Sequence, residues 1–207
     1  MLMIGLTGER GVGKSTVVKY LELKHNFENA HAFNVGKHMT LQMLLYMDVP
    51  YDTAYRMVYT DLRDVPSSYL PGKVSCRYFM EKFGFFMGKE LGPEWTLGAE
   101  LKHLKQFIEY HDDNIKDSEN AVRGIVFDSI VYEAPLFKEK GGIIIRITRP
   151  DADKTIEAPN TSKAQAEVKH DVEITNDGSL DQLHSAIDAV LLQVRLVNFS
   201  ENLSSIV

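Results

Sequence analysis

The stretch GERGVGKS, residues Gly8–Ser15, decides how the rest of the chain is interpreted. It follows a short apolar run, Leu2–Leu6, and precedes a helical pattern over residues 14–24. Glycines let the backbone curl so that consecutive N–H groups point inward at an anion. The positive end of the following helix adds to that attraction. The stretch therefore predicts a strand, an anion-binding turn and a helix, in that order.

The spacing G-x-x-x-x-G-K-S is that of a P-loop, the turn that binds the phosphates of a nucleoside triphosphate. Lys14 would bring a mobile positive charge to the β- and γ-phosphates, and the Ser15 hydroxyl is a hard oxygen ligand for Mg²⁺. A dinucleotide-binding G-x-G-x-x-G is not found in this loop, and the N-K-x-D sequence typical of GTPases is not present. We therefore expect ATP and Mg²⁺ as cofactors. The expected nucleotide-binding residues of this stretch are Gly8, Glu9, Arg10, Gly11, Val12, Gly13, Lys14, Ser15 and Thr16.

The composition of the 207-residue chain is that of an ordinary globular protein. It is 44% hydrophobic and 25% charged, which excludes a disordered or collagen-like chain and favours one domain over residues 1–207. The single Cys76 excludes an intrachain disulfide and a Cys-rich zinc site, and it fits a reducing compartment. No apolar run approaches the roughly 20 residues of a membrane helix. The stretch Met1–Leu6 is too short for a signal peptide, so we expect none. We expect a location in the cytoplasm, or in the host cytoplasm for a phage-encoded chain.

The charge balance bears on the class of partner. The chain has 23 Lys and Arg against 29 Asp and Glu, a formal net charge of −6. A surface that holds duplex nucleic acid is normally basic, so this balance argues against such a partner. The seven His residues show no metal-ligand spacing such as H-E-x-x-H, and we assign none of them to a metal.

Hydrophobic periodicity along the chain predicts an α/β fold. Strands are expected at residues 2–6, 30–33, 122–127, 142–147 and 171–175, and helices at 14–24, 36–47, 51–59, 74–91 and 94–111. A final helix should open at Ser179, which forms a capping box with Gln182. This alternation predicts a parallel sheet of about five strands with helices on both faces. A helical insertion is expected over residues 48–112, and a polar lid over residues 150–169.

Three further segments carry a family resemblance. RYFMEKFG at Arg77–Gly84, followed by Pro93–Trp95, is similar to the R-x-L-M-Q-x-L-G…W segment of the bacteriophage-type deoxynucleoside monophosphate kinases. IIRITRP at Ile144–Pro150 and DVEITNDGSL at Asp171–Leu180 resemble two later elements of that family. Dephospho-CoA kinases carry something similar to the last segment. The resemblance implies the nucleoside monophosphate kinase fold and transfer of the ATP γ-phosphoryl group to a (deoxy)nucleoside monophosphate, as in deoxynucleotide biosynthesis.

Four side chains become catalytic candidates, the first being Lys14. Arg77 begins a helix, where the dipole disfavours a cation, so we expect its planar fork to hold the acceptor phosphate. Asp128 follows a buried strand and could hold Mg²⁺ through water, as a second metal candidate beside Ser15, or touch the acceptor. Arg149 follows another strand and could reach the transferring phosphoryl group; we favour it over Arg146.

The resemblance adds binding candidates for both ATP and the acceptor. Asn176 and Gly178 lie in the turn that this family places against adenine. Phe33 and Lys37 match an acceptor-side segment.

The acceptor side also departs from the family pattern. The Arg expected two residues after Asp128 is missing, the Gln after Met is Glu81, and Gly-Thr is replaced by Gly84-Phe85. These changes leave two alternatives open: a P-loop kinase with another acceptor, such as dephospho-CoA or a nucleoside in DNA, and a non-catalytic nucleotide-binding protein. The base, the sugar and the formation of a homodimer stay undecided by the sequence.

Overall fold

A computed structural model describes residues 1–115, 121–150 and 164–204, with backbone alone at 111–115 and 195–204. The strands are β1 Leu2–Thr7, β2 Phe27–Ala30, β3 Gly124–Phe127, β4 Ile143–Thr148 and β5 Val172–Thr175. The helices are α1 Lys14–His25, α2 Asn34–Tyr46, α3 Tyr51–Tyr59, α4 Cys76–Phe85, α5 Leu97–Ile115, α6 Ala134–Glu139 and α7 Leu180–Ser204. Shorter turns are Pro71–Lys73, Phe86–Leu91 and Pro93–Trp95. Most of the predicted lid over 150–169 lies outside the described residues.

The five strands form one sheet in the order β2-β3-β1-β4-β5. β1 pairs in parallel with β3 on one side and with β4 on the other, and β4 pairs in parallel with β5. Parallel neighbours must be joined by crossovers, so helices lie between consecutive strands along the chain. The α/β fold with a five-stranded parallel sheet is confirmed.

This topology brings the ends of four strands to one edge. The P-loop follows β1, Asp128 follows β3, Arg149 follows β4 and Asn176 follows β5. Because the paired strands are parallel and in register, their carboxyl ends meet at the same edge of the sheet. Ligands of open α/β sheets bind at this edge. Residues far apart in sequence are therefore collected there by the fold.

One face of the sheet is covered by α1 and α7. The shared core contains sheet residues such as Leu6 and Ile147, with Leu21 from α1 and Ile187 from α7, all fully buried. Burial of each such side chain contributes about 1.5–3 kcal/mol. This packing fixes the start of α1, and with it the helix end of the P-loop.

The chain forms two compact units. The described parts of residues 1–29, 123–129 and 142–204 make the first, which holds most of the sheet, α1 and α7. The described parts of residues 30–122 and 130–141 make the second, which contains the predicted insertion over 48–112. A single domain over residues 1–207 stays a prediction. Among the described helices, none is long and apolar enough to cross a membrane.

The second unit has its own hydrophobic core, which includes Leu44 of α2, Met57 of α3 and Cys76 of α4. Cys76 is completely buried, and this burial raises the pKa of its thiol to about 11. A thiol that stays protonated is a poor nucleophile. Cys76 is therefore a packing residue.

The strand predicted at residues 30–33 is wrong by about three positions. β2 runs instead from Phe27 to Ala30, and residues 31–33 already turn into α2. Asn26 ends α1 in the left-handed conformation, and its carbonyl accepts the backbone N–H of Arg123, just before β3. Phe27 is then buried in the core of the first unit. The strand begins early because of these distant contacts.

The helix predicted over residues 74–91 is also different in detail. Regular α-helix ends at Phe85, and a wider π-helical turn continues from Phe86 to Leu91. Met87 is buried in this turn, while the Phe85 ring packs edge-on against Tyr132 at 5.8 Å between centroids. Such wider turns occur where tertiary packing competes with regular helix geometry.

The start of α7 has the predicted capping box. The Ser179 hydroxyl accepts the Gln182 backbone N–H at 3.3 Å, and the Gln182 side-chain carbonyl accepts the Ser179 N–H at 2.7 Å. Both bonds satisfy donors that a helix end otherwise leaves without a partner. The contact is local, which is why sequence alone could predict it.

Replacing Ser179 with Ala should lower the free energy of unfolding by about 1 kcal/mol, because one end of this box is lost. Urea unfolding followed by circular dichroism measures the change. Ser185→Ala is the control, since Ser185 lies exposed inside α7, where Ala is the better helix former. Equal losses in the two variants would contradict the capping role.

Candidate functional site

The P-loop backbone has a conformation that only glycine adopts readily. Gly8, Gly11 and Gly13 have φ values of 136°, 80° and 107°. A Cβ on Gly8 would lie 2.2 Å from the Ile147 carbonyl oxygen of β4, and a Cβ on Gly13 would lie 2.6 Å from the Asn176 amide nitrogen. The loop is therefore pressed against two neighbouring segments that leave no space for a side chain.

Asn176 holds the loop from the other side. Its Nδ2 donates to the Val12 carbonyl at 2.8 Å, and its backbone N–H donates to the Thr148 carbonyl at 2.7 Å. The turn after β5 is thus tied both to β4 and to the P-loop. The predicted contact of Asn176 and Gly178 with adenine stays a prediction.

The first turn of α1 is suited to an anion. The helix begins at Lys14, and the cap residue Gly13 offers no side-chain acceptor. Within α1, all of which is described, the first turn contains no acidic residue. The N–H groups and the positive end of the helix dipole are therefore not neutralised by a side chain of this helix. Ser15 and Thr16 are exposed at this end, as are Glu9 and Arg10 in the preceding loop.

Lys14 folds back over the loop that precedes it. Its Nζ donates to the carbonyl oxygens of Gly8 at 2.6 Å and Glu9 at 2.7 Å. An ammonium group has three N–H donors, and these two bonds use two of them. The bonds hold the charged end at the mouth of the turn, where the phosphates of a nucleotide would lie.

Burial lowers the pKa of Lys14 to about 8, against the opposing attraction of the Asp128 and Glu9 carboxylates. Desolvation disfavours the charged form more than the two carboxylates favour it. An additional anion beside Nζ would therefore raise the pKa again. The Lys14 ammonium therefore gains more free energy from binding a phosphate than the ammonium of a fully hydrated lysine would.

Ser15 and Asp128 line a common cleft of about 420 Å³ beside α1. Its lining residues are Ser15, Val18, Lys19, Glu22, Leu23, Asn29 and Asp128. The Ser15 hydroxyl and the Asp128 carboxylate are oxygen donors of the kind that Mg²⁺ prefers. Among the described residues, no group of three or more His, Cys, Asp or Glu side chains could hold a metal by itself. Mg²⁺ at a nucleotide takes one or two protein ligands and completes its shell with water and phosphate oxygens. Metal binding by Ser15 and Asp128 stays a prediction.

The two arginines at the end of β4 differ in their surroundings. The Arg146 guanidinium donates to the carbonyl oxygens of residues 165, 166 and 168 at 2.8–3.2 Å, so it stabilises the chain there. Arg149 is exposed immediately after the strand. These surroundings agree with the sequence-based preference for Arg149, whose catalytic role stays a prediction.

Arg77, in the second unit, is paired with a carboxylate. Its Nε and Nη2 donate to the two oxygens of Asp64, the Nη2 bond being 3.2 Å. Its backbone N–H donates to the Arg63 carbonyl at 2.8 Å. An ion pair of this kind accounts for an arginine at this position without a ligand, and the sequence did not identify Asp64 as the partner. Binding of the acceptor phosphate by Arg77 stays a prediction.

Phe33 and Lys37, the other two acceptor-side candidates, are partly buried in the second unit. The Phe33 ring fills the space that a Cβ on Gly36 would need, and it packs edge-on against Phe83 at 5.9 Å between centroids. Lys37 lies half-buried in α2, where its N–H donates to the Phe33 carbonyl. Packing accounts for Phe33 without a ligand. Substrate binding by Phe33 and Lys37 stays a prediction.

The segment after Asp128 ends in a buried carboxylate. Glu133 is 6% exposed and accepts the Val131 backbone N–H at 3.3 Å and a bond from Thr96. Burial raises the pKa of Glu133, and these hydrogen bonds oppose the rise. These hydrogen bonds offset the cost of burying the carboxyl group, so Glu133 has a structural role in the second unit.

The sequence did not identify the other residues that line the cleft beside α1, nor the partner of Arg77. Lys19, Glu22 and Asn29 line the cleft beside α1, but exposed polar residues on a helix or strand are common. Asp64 lies thirteen residues before Arg77, outside any helical or strand period. Only the three-dimensional structure identifies their neighbours.

The chain is similar to solved structures at low sequence identity. No protein-family model matches the chain, and no curated protein matches it. Among solved structures, TT1252 from Thermus thermophilus is similar at 16% identity and a TM-score of 0.44, covering 93% of this chain and 97% of its own. A dephospho-CoA kinase from Campylobacter jejuni is similar at 15% identity and a TM-score of 0.42, covering 95% and 98%. Both TM-scores lie below 0.5, so we draw no conclusion about activity from them.

The lowered pKa of Lys14 predicts proton uptake when a nucleotide binds. With a pKa of about 8 in the free protein, Lys14 is mostly neutral at pH 8.5 and mostly charged at pH 7. A bound phosphate raises the pKa, so ATP binding should take up about 0.8 proton at pH 8.5 and about 0.1 from this group at pH 7. Calorimetry in buffers of different ionisation enthalpy measures the number of protons taken up for each ATP bound.

Lys14→Arg is the control for this measurement, because a guanidinium stays charged at both pH values. Its complex should show no rise in proton uptake between pH 7 and pH 8.5. Equal uptake by the wild-type protein at both pH values would contradict the assigned pKa shift.

Proposed function

We propose that this protein transfers the γ-phosphoryl group of ATP to a (deoxy)nucleoside monophosphate and so forms the diphosphate. One observation carries the proposal: Lys14 is held over a glycine-formed anion nest, with Asp128 close enough to act on its charge. A nest, a lysine and a nearby carboxylate are the parts that a P-loop enzyme uses to bind a nucleotide and its metal.

On the ATP side, the chain supplies positive charge and orientation. N–H groups of the P-loop and of the first turn of α1 would bind the β-phosphate, and Lys14 would reach the β- and γ-phosphates. Ser15 would hold Mg²⁺ directly and Asp128 through water, and the ion would neutralise charge on the β- and γ-oxygens. Arg149 would stabilise charge on the transferring group.

On the acceptor side, the proposal assigns the monophosphate to Arg77. A phosphate dianion accepts two parallel hydrogen bonds from a guanidinium, which fixes its orientation as well as its charge. The acceptor phosphate is already ionised at neutral pH, so the reaction needs no general base. Positioning and charge neutralisation then supply most of the rate enhancement.

Arg77→Lys tests the acceptor assignment. A lysine keeps the charge but loses the planar fork, so kcat/KM for the monophosphate should fall by roughly 10-fold or more, or about 1.5–3 kcal/mol. The dissociation constant for ATP should be unchanged, since the P-loop is intact. A coupled assay of ADP release and a separate ATP titration give the two values.

Arg56→Lys is a matched control, because Arg56 also forms a two-bond pair with an aspartate, Asp61, in the same unit. Its monophosphate kinetics should equal those of the wild type. If Arg77→Lys weakens ATP and monophosphate equally, or neither, Arg77 is structural and the acceptor assignment is wrong.

A further inference from the structure

The carboxylate of Asp64 engages one defined edge of the Arg77 guanidinium. Nε donates to one carboxylate oxygen and Nη2 to the other. A guanidinium has five N–H donors in one plane, and this side-on pair uses two of them. The edge formed by Nη1 and the second N–H of Nη2 points away from Asp64 by the geometry of the group. That edge can form a second two-bond contact with an oxyanion.

The backbone adds a second restraint on the same residue. The Arg77 N–H donates to the carbonyl of Arg63, the residue before Asp64, so one dipeptide holds both the main chain and the side chain of Arg77. Ser75 caps α4 by accepting the Tyr78 N–H at 3.2 Å, which places Arg77 in the first turn of the helix. The start of α4 and the guanidinium are thus held in one orientation.

Stability alone is a weak reason for this arrangement. Ion pairs between partly exposed side chains contribute little to folding, and a cation in the first turn of a helix is opposed by the dipole. The Arg77 side chain is 26% exposed, so it is not sealed from solvent while its Nε edge is held. Preorganising an arginine fork lowers the entropy lost when an anion binds.

We propose that Asp64 is a positioning residue, which holds the Nε edge of Arg77 so that the outer edge of the fork is presented to the acceptor phosphate. This inference rests on the proposed function, because it takes the monophosphate as the anion. In this role Asp64 does not touch the substrate and acts through its two hydrogen bonds to Arg77. Its effect must therefore pass through the guanidinium.

Asp64→Asn tests the role. An amide has the same shape but carries no charge, and its NH₂ group replaces one acceptor oxygen, so it cannot give each N–H of the pair its own oxygen. The KM for the monophosphate should rise about 5- to 10-fold, with the KM for ATP unchanged. Asp61→Asn is the control, since it breaks the comparable Arg56–Asp61 pair nearby and should leave both constants unaltered.

A double-mutant cycle separates positioning from a general structural effect. If Asp64 acts through the Arg77 fork, Asp64→Asn should change the monophosphate KM less than 2-fold once Arg77 is Lys. If the role of Asp64 is purely structural, Asp64→Asn should change the monophosphate KM by the same factor whether residue 77 is Arg or Lys. That outcome would overturn the inference, as would a rise in the ATP KM equal to the rise for the monophosphate.

Two further results distinguish failure of this inference from failure of the proposed function. A monophosphate defect in Arg77→Lys together with wild-type kinetics in Asp64→Asn would overturn the role of Asp64 alone. A wild-type protein that neither binds nor phosphorylates any monophosphate would overturn both. Should Asp64→Asn not fold, Asp64→Glu keeps the charge and shifts the carboxylate by one methylene. An unchanged monophosphate KM in that variant would also overturn the inference.

Discussion

Two close approaches of the backbone hold the P-loop in shape, and the candidate site depends on both. Gly8 lies against the Ile147 carbonyl of β4, and Gly13 lies against the side chain of Asn176 after β5. The Asn176 amide bonds to Val12 between these two points. The loop is therefore positioned by the sheet rather than by its own local preference. A rigid nest gives up little conformational entropy when an anion binds.

The electrostatics of Lys14 follow from the same packing. Because the loop is held close to the end of the sheet, the ammonium is partly removed from water, and its pKa falls to about 8. The free protein bears this desolvation with only partial compensation from Asp128 and Glu9. A phosphate supplies the missing counter-charge. Part of the favourable energy of binding therefore comes from relieving a cost already present in the fold.

Sequence predicted those features whose causes are local. The glycine spacing of the P-loop and the Ser179–Gln182 box each lie within a few residues, and both are found as expected. The shift of β2 depends on contacts across the sheet, and the π-helical turn at residues 86–91 on packing beside Tyr132. The pairing of Arg77 with Asp64 depends on the path of the intervening chain. No periodicity in the sequence reports such contacts.

Transfer of a phosphoryl group to a monophosphate at the P-loop is tested most directly by following the label from γ-labelled ATP. Separate reactions would offer deoxynucleoside monophosphates, ribonucleoside monophosphates, dephospho-CoA, a DNA oligonucleotide, or no acceptor. The label should appear in a nucleoside diphosphate. Lys14→Ala should lower this rate by at least ~10²-fold while remaining folded. Label found only in dephospho-CoA, DNA or free phosphate, or ATP binding without transfer to any acceptor, would contradict the account.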